Sequence, residues 1–284
     1  MLARGGYFCG DDLAMGVFLA LNLGKPLFLE GEAGVGKTEL AKVLARQLDR
    51  RLIRLQCFEG LDVSTALYEW NYPKQLLSMK LAAECGSGPA QLEDVFSEEF
   101  LLSRPLLQAI QLEARGEPVV LLIDELDRAD EEFEAFLLEL LSDFQVTIPE
   151  MGTLRASSIP LVVITSNRTR EIHDAVKRRC LYHWIDYPGL DQELSIVENK
   201  VPGINQRLAL EICRFMQRLR QEDFLKRPGV AETLDWAQAL MLLHRRHLDE
   251  ELIRQTKSCL FKNRVDLRRF QEGISCFLSA TETC

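Results

Sequence analysis

Between Gly31 and Thr38 the chain reads Gly-Glu-Ala-Gly-Val-Gly-Lys-Thr, which places glycines, an amine and a hydroxyl at the spacing G-x-x-x-x-G-K-[ST]. Gly31, Gly34 and Gly36 allow backbone angles closed to residues with a Cβ, so successive N–H groups can turn inward around an anion. After the loop, Leu40, Val43, Leu44 and Leu48 recur at helical spacing. The anion would therefore lie at a helix N-terminus, where unpaired amides and the helix dipole favour negative charge. In that geometry Lys37 reaches the β- and γ-phosphates of a nucleoside triphosphate, and the Thr38 hydroxyl ligates Mg²⁺. The residues expected to bind the nucleotide are Gly31, Glu32, Ala33, Gly34, Val35, Gly36, Lys37, Thr38 and Glu39. The apolar run Leu27-Phe28-Leu29 supplies the buried strand that must precede such a loop.

A second run, Val119-Val-Leu-Leu-Ile123, ends in the adjacent carboxylates Asp124 and Glu125. Following a phosphate loop, this order assigns Asp124 to the Mg²⁺ shell and Glu125 to the water that attacks the γ-phosphate. Asn167 closes the apolar run LVVITS, where a side-chain amide can orient that water; a plain turn residue has the same sequence appearance. His173 to Cys180 reads as a short helix ending in Lys177, Arg178 and Arg179. These cations either complement a helix C-terminus or provide an arginine finger to a neighbouring copy's nucleotide site, with Arg178 and Arg179 equally suited.

The elements that position these residues follow from periodicity. Leu52 to Leu55, Val119 to Ile123, Leu161 to Thr165 and Leu181 to Ile185 are apolar runs bounded by polar or turn residues. With helices between them they predict a P-loop NTPase fold, an α/β parallel sheet covered on both faces. Residues 84–98 are acidic and contain Gly-Ser-Gly-Pro, which predicts a loop or insertion, and 145–159 predicts a β-hairpin turning at Glu150-Met151-Gly152. Beyond Tyr187-Pro188-Gly189 strand signals cease and apolar residues recur at helical spacing, so 1–188 is expected as the core and 189–284 as an α-helical domain. Leu13 to Leu23 is expected as a buried helix capped by Asp11 or Asp12; it is too short to span a bilayer and lacks the basic flank of a signal peptide.

At 284 residues the chain has ample core without disulfides or structural metals. Its net charge of −9 argues against gripping nucleic acid by the phosphate backbone, which draws on clustered Lys and Arg. The eight cysteines show no C-x-x-C pair, which points to reduced thiols in a cytoplasm. His244 and His247 lie three apart, but no third ligand stands at a metal-site spacing. Tyr68, Trp70 and Tyr72 suit either core packing or a mobile aromatic loop, and Tyr182, His183 and Trp184 are expected to pack where core and helical domain meet. ATP is the expected nucleotide, with GTP an open alternative although there is no Asn-Lys-x-Asp element to read guanine.

The phosphate loop, the Asp-Glu strand end, the strand-terminal Asn, the helix-terminal Arg pair and a helical C-terminal region together resemble an AAA+ ATPase. DELDRAD at 124–130, LLSDFQVTI at 140–148 and AVKRRC at 175–180 are similar to the MoxR family. GLDVSTALYEWNYPKQLL at 60–77 and LYHWIDYP at 181–188 resemble its CoxD-type subgroup, associated with maturation of carbon monoxide dehydrogenase. The resemblance implies a hexameric ring with ATP sites between subunits, chaperone-like remodelling of a client such as an apo-metalloenzyme, and a partner with a von Willebrand factor A domain. It also implies a sensing arginine near the start of a helix of the C-terminal domain. By register that place falls at Val230, Ala231 or Glu232, none of which is Arg; either Arg227, one turn earlier, substitutes in contact with the nucleotide, or the γ-phosphate is sensed without a lid arginine. A DNA loader or translocase, and a nucleotide-gated scaffold with little turnover, are the competing functions.

Overall fold

Backbone pairing unites the apolar runs as periodicity predicts. The computed structural model describes residues 1–84 and 95–279, so 85–94 of the expected insertion lie outside it. In chain order the elements are α1 (Asp11–Leu23), β1 (Leu27–Gly31), α2 (Lys37–Gln47), β2 (Arg51–Gln56), α3 (Val63–Ala66), β3 (Tyr68–Trp70) and α4 (Tyr72–Glu84). Then come β4 (Leu101–Ser103), α5 (Pro105–Ala114), β5 (Val119–Asp124), α6 (Glu131–Asp143), β6 (Gln145–Ile148), β7 (Gly152–Arg155), β8 (Leu161–Ser166), α7 (Asp174–Arg179) and β9 (Leu181–Ile185). Five helices complete the described chain: α8 (Leu190–Lys200), α9 (Gln206–Leu219), α10 (Val230–Leu242), α11 (Glu250–Thr256) and α12 (Arg264–Ser279).

The main sheet has the order β2-β5-β8-β1-β9, with parallel pairing of β2 to β5, β5 to β8 and β1 to β8. Every residue of β5 and β8 is buried, which is why both strands read as unbroken apolar runs rather than alternating ones. The expected fold class is therefore the observed one, a P-loop parallel sheet with helices around it. The hairpin at 145–159 is present as β6 and β7, registered Gln145 to Arg155 and Ile148 to Gly152. A second antiparallel ribbon, β3 with β4, was not legible in the sequence, because each strand is only three residues long and the two are thirty residues apart.

Two units divide the chain. One comprises Met1–Ala14, Gly31–Val43 and Trp184–Cys284; the other comprises Met15–Glu30 and Leu44–His183. The second holds most of the sheet, and its core includes Phe28, Ile53, Leu107, Ile123, Phe133 and Ile164. Buried Glu113 ties that core together: one carboxylate oxygen accepts from the Val119 N–H at 2.8 Å and the other from the Ser158 hydroxyl, linking the start of β5 to the segment before β8. Trp70 is buried and meets Tyr68 and Phe96 edge to face, so the packing reading holds for this pair, whereas Tyr72 is exposed. Tyr182 stacks on Phe28 and donates to Glu30 at 2.8 Å.

The first unit is centred on Trp236, Phe215, Phe261 and Phe270, and buried Trp236 donates to the Thr256 hydroxyl at 2.8 Å. The helices start where local chemistry allows, with Asn205 capping α9 and Asp249 capping α11. One expectation is corrected. The helix over Leu13 to Leu23 is only half buried: Leu13, Val17 and Ala20 face inward, but Met15, Phe18 and Leu23 are exposed, and Asp11 and Asp12 lie within its first turn rather than capping it. Apolar residues on both sides of the helix hid the one face that packs. Among the described residues no helix is long and apolar enough to cross a membrane.

Candidate functional site

The glycine-rich loop joins β1 to α2 and belongs to the first unit. Gly34 and Gly36 have φ of 77° and 98°, the left-handed region that a Cβ disfavours, so the glycines are needed where the sequence places them. Lys37, the first residue of α2, is 6% exposed, and its ammonium donates at 2.7 Å to the carbonyls of both Gly31 and Glu32. The loop thus curls around its own lysine, with Glu32, Ala33 and Gly34 exposed, Val35 buried and Thr38 half-buried. Glu39 in the first turn of α2 accepts from Lys200 at 2.7 Å. The Gly34 carbonyl accepts from the N–H groups of Val230 at 3.0 Å and Ala231 at 3.3 Å. Arg227 is exposed three residues before α10.

The second unit holds Asp124, Glu125 and Asn167 at or just beyond the C-terminal ends of β5 and β8, the edge at which open α/β sheets bind ligands. The register pairs Ile123 with Ile164, which brings Asp124 alongside Thr165. The Thr165 hydroxyl donates to Asp124 Oδ1 at 2.6 Å and accepts from the Glu125 N–H at 2.9 Å. Arg54 from β2 grips Asp124 Oδ2 through Nε at 3.0 Å and Nη2 at 2.6 Å. Glu125 itself has φ 56° and ψ 52°, a left-handed conformation that costs a non-glycine residue about 1–3 kcal/mol. Such strain persists only where surrounding contacts impose it, and here Thr165 holds the strained amide.

Asp127 organises the turn after β8. Its carboxylate accepts from the Asn167 N–H at 3.1 Å and from the Thr169 N–H and hydroxyl at 2.9 and 2.6 Å. Burial pushes this carboxyl up, but the hydrogen bonds from Thr169 and Asn167 outweigh it and hold Asp127 below the usual carboxylate range. The adjoining cleft, of about 620 Å³, is lined by Cys57, Glu125, Asp127, Arg128, Asp130 and Arg170 among others. Burial first, then the neighbouring carboxylates Asp124, Asp127 and Glu125, push the Cys57 thiol up to about 12, so it remains protonated and is no nucleophile at neutral pH.

Arg178 and Arg179 are exposed in the last turn of α7, while Lys177 turns back to Glu30 at 3.8 Å. Within the second unit, then, Asp124, Glu125 and the backbone of Asn167 are joined by Thr165 and Asp127, and the arginine pair lies at a helix end. Sequence reasoning missed Thr165, Asp127 and Arg54. Thr165 and Arg54 stand in strands where their residue types pass for β-propensity or a solvated edge, and only the sheet register shows that they converge on Asp124. The Asp124 carboxylate in the second unit is a hard oxygen donor of the kind Mg²⁺ takes and is held by Thr165 and Arg54, so it fits the ion; the Thr38 hydroxyl in the first unit is a donor of the same kind. Arg54→Ala should leave a buried carboxylate without its cation and lower stability by about 1–3 kcal/mol, read as a lower urea midpoint at unchanged m-value.

The sequence profile of the AAA ATPase domain matches residues 17–164, just over half of the chain. The gas vesicle ATPase GvpN1 of Halobacterium salinarum is 24% identical over 210 residues, an alignment that covers 71% of this chain. The chain spans only 58% of the length of that relative. Among solved structures, a RuvB variant from Thermotoga maritima superposes with a TM-score of 0.52 at 18% identity, covering 89% of this chain and 71% of its own. A second variant of the same protein gives 0.50 at 16% identity, covering 88% and 70%. At that identity the likeness to RuvB concerns the fold alone. The profile match carries further, since it spans the glycine-rich loop, the Asp124-Glu125 strand end and most of β8, and it places this chain in the AAA ATPase family.

Proposed function

We propose that the chain is a Mg²⁺-dependent ATPase of the MoxR type, working as a ring and using hydrolysis to remodel or mature a protein client. The observation that carries this reading is Glu125, held in a strained left-handed conformation next to the buried Asp124, with Thr165 bonded to both. The bond from the Glu125 N–H to Thr165 fixes the backbone from which the Glu125 side chain projects, and a carboxylate at that place can act as the base that takes a proton from water. The loop amides and Lys37 hold the phosphates, and Thr38 and Asp124 hold the metal. Bound Mg²⁺ would offset the negative charge of the β- and γ-phosphates. Glu125 takes the proton of the attacking water, Asn167 orients that water, and Arg178 or Arg179 of a neighbouring copy meets the charge that develops on the transferred phosphoryl group.

The ATPase label of the gas vesicle relative supports the reaction. The motifs at 124–130, 140–148 and 175–180 support the MoxR assignment, and those at 60–77 and 181–188 its CoxD-type branch, with an apo-metalloenzyme such as a molybdenum hydroxylase as the client class and a von Willebrand factor A protein as partner. Residues 189–284 serve in this reading as the lid on the nucleotide. The test is the ATPase rate against protein concentration, with mass measured in parallel with and without ATP. Specific activity should rise with concentration alongside a ring-sized species, and Arg178→Ala/Arg179→Ala should cut it by about 10³-fold while nucleotide still binds. Concentration-independent turnover by a monomer that ignores both arginines would remove the ring motor.

A further inference from the structure

In the first unit, the place at which the resemblance implies a lid arginine carries a main-chain contact to the phosphate loop instead. At the register where that arginine is missing, the first two N–H groups of α10, those of Val230 and Ala231, converge on the carbonyl of Gly34 in the phosphate loop. Helix-initial amides have no partner within their own helix, so the loop carbonyl satisfies both of them. The approach is close because residue 229 is glycine: a Cβ there would stand 2.8 Å from the Ala33 carbonyl oxygen and 3.0 Å from Gly34 Cα. The turn is also held from behind. Arg220, 6% exposed, donates through Nε to the Pro228 carbonyl at 2.8 Å and through both terminal nitrogens to fully buried Glu193 at 2.7 Å. Thr233 donates to Glu193 Oε1 at 2.7 Å and lies 3.1 Å from the Gly229 carbonyl, and the Gly229 N–H donates to Glu232 at 2.9 Å.

We infer that the Pro228-Gly229 turn and the first two amides of α10 sense the phosphate loop through the Gly34 carbonyl, a main-chain contact in place of a lid arginine. The inference rests on the nucleotide-binding reading above. Its physical basis is the rigidity of the peptide unit. The Gly34 carbonyl and the Val35 N–H belong to one planar trans peptide and point to opposite sides of it. Rotation of that peptide to aim the Val35 amide at a phosphate must rotate the Gly34 carbonyl against α10. Because Arg220, Glu193 and Thr233 fix the turn, the rotation is passed to α10 instead of being absorbed locally. Gly229 and Arg220 are thus positioning residues: the first admits the contact and the second aims it.

Release of a fluorescent N-methylanthraniloyl-ADP, followed by stopped flow, tests this on the full chain. Gly229→Ala forces a Cβ against loop backbone and should speed release about tenfold or more, with the thermal midpoint of the nucleotide-free protein within about 2 °C of wild type. Release at the wild-type rate from that folded variant would overturn the proposal. Hydrogen exchange on the wild type provides an arm that does not depend on a variant folding. Saturating ADP should slow exchange in peptides covering 229–233 while peptides from α12 stay unchanged, and indifference of 229–233 to ADP would also overturn it. A wild-type chain that fails to bind the nucleotide at all would instead overturn the ATPase reading on which the inference stands.

Discussion

A Glu125→Gln protein is expected to bind ATP with near wild-type affinity and to hydrolyse it about 10²–10⁴ times more slowly. The size follows from what a positioned general base contributes, and the selectivity follows from the geometry. Glutamine keeps the length and shape of the side chain, and the strained backbone at residue 125 is imposed through its own N–H to Thr165, which the substitution leaves in place. Asp124, with its separate bonds to Thr165 and Arg54, is likewise untouched. A single-turnover assay with radiolabelled ATP, alongside equilibrium binding, separates the two effects. Turnover within threefold of wild type would remove Glu125 from the chemistry, whereas lost binding would show that its charge serves the fold of the turn.

The parts of the fold that were legible in the sequence are those where burial is uniform. β5 and β8 lie in the middle of the parallel sheet with every residue buried, so their apolar runs match their boundaries to within one residue. Amphipathic α9, α10 and α12 were equally plain, because their periodicity persists over three turns or more. The β3-β4 ribbon was invisible for the opposite reason. Three-residue strands carry no measurable period, and their pairing depends on chain reversal through the intervening segment. Helix α1 shows a further limit. Its exposed Met15, Phe18 and Leu23 made it look buried throughout, since hydrophobicity reports capacity for burial and not the presence of a partner.

The candidate site divides along the same line. Motif spacing singled out residues whose proposed roles follow from neighbours in sequence: Lys37 from the glycines before it, Glu125 from the strand before it. It missed residues whose roles follow from neighbours across the sheet or from another helix. Thr165 is one of several β-branched residues in LVVITS, and its hydroxyl gains meaning only when register sets it beside Asp124. The absence of an arginine at 230–232 was legible, but the contact made at that place uses backbone groups that every residue carries. No residue-type signal could reveal it. Gly229 was the one trace, and in a sequence a glycine before a helix looks like any other turn.

Arg220→Ala should destabilise the first unit by about 3–5 kcal/mol. The reason is the partner it would abandon. Glu193 is fully buried, and its two oxygens receive Arg220, Thr233 and Gln217. Removal of the guanidinium leaves that carboxylate buried with only neutral donors and also frees the Pro228 carbonyl that Arg220 Nε satisfies. The stacking of Arg220 on the Tyr187 ring, 4.9 Å from its centroid, is lost as well. A double-mutant cycle makes the attribution firm. If the cost comes from an orphaned charge, adding Glu193→Gln to Arg220→Ala should recover at least about 1 kcal/mol, measured by chemical denaturation of the two single variants and the double variant against wild type. Equal losses in the single and double variants would place the cost in lost packing instead. Glu193 and Arg220 lie on α8 and just beyond α9 and grip the turn that opens α10, so their pair joins three helices at the point where α10 meets the phosphate loop. A buried ion pair is a weak way to stabilise a helical bundle, since well-packed apolar residues would serve as well. It is an effective way to hold the Pro228 carbonyl in one orientation, which apolar packing cannot do.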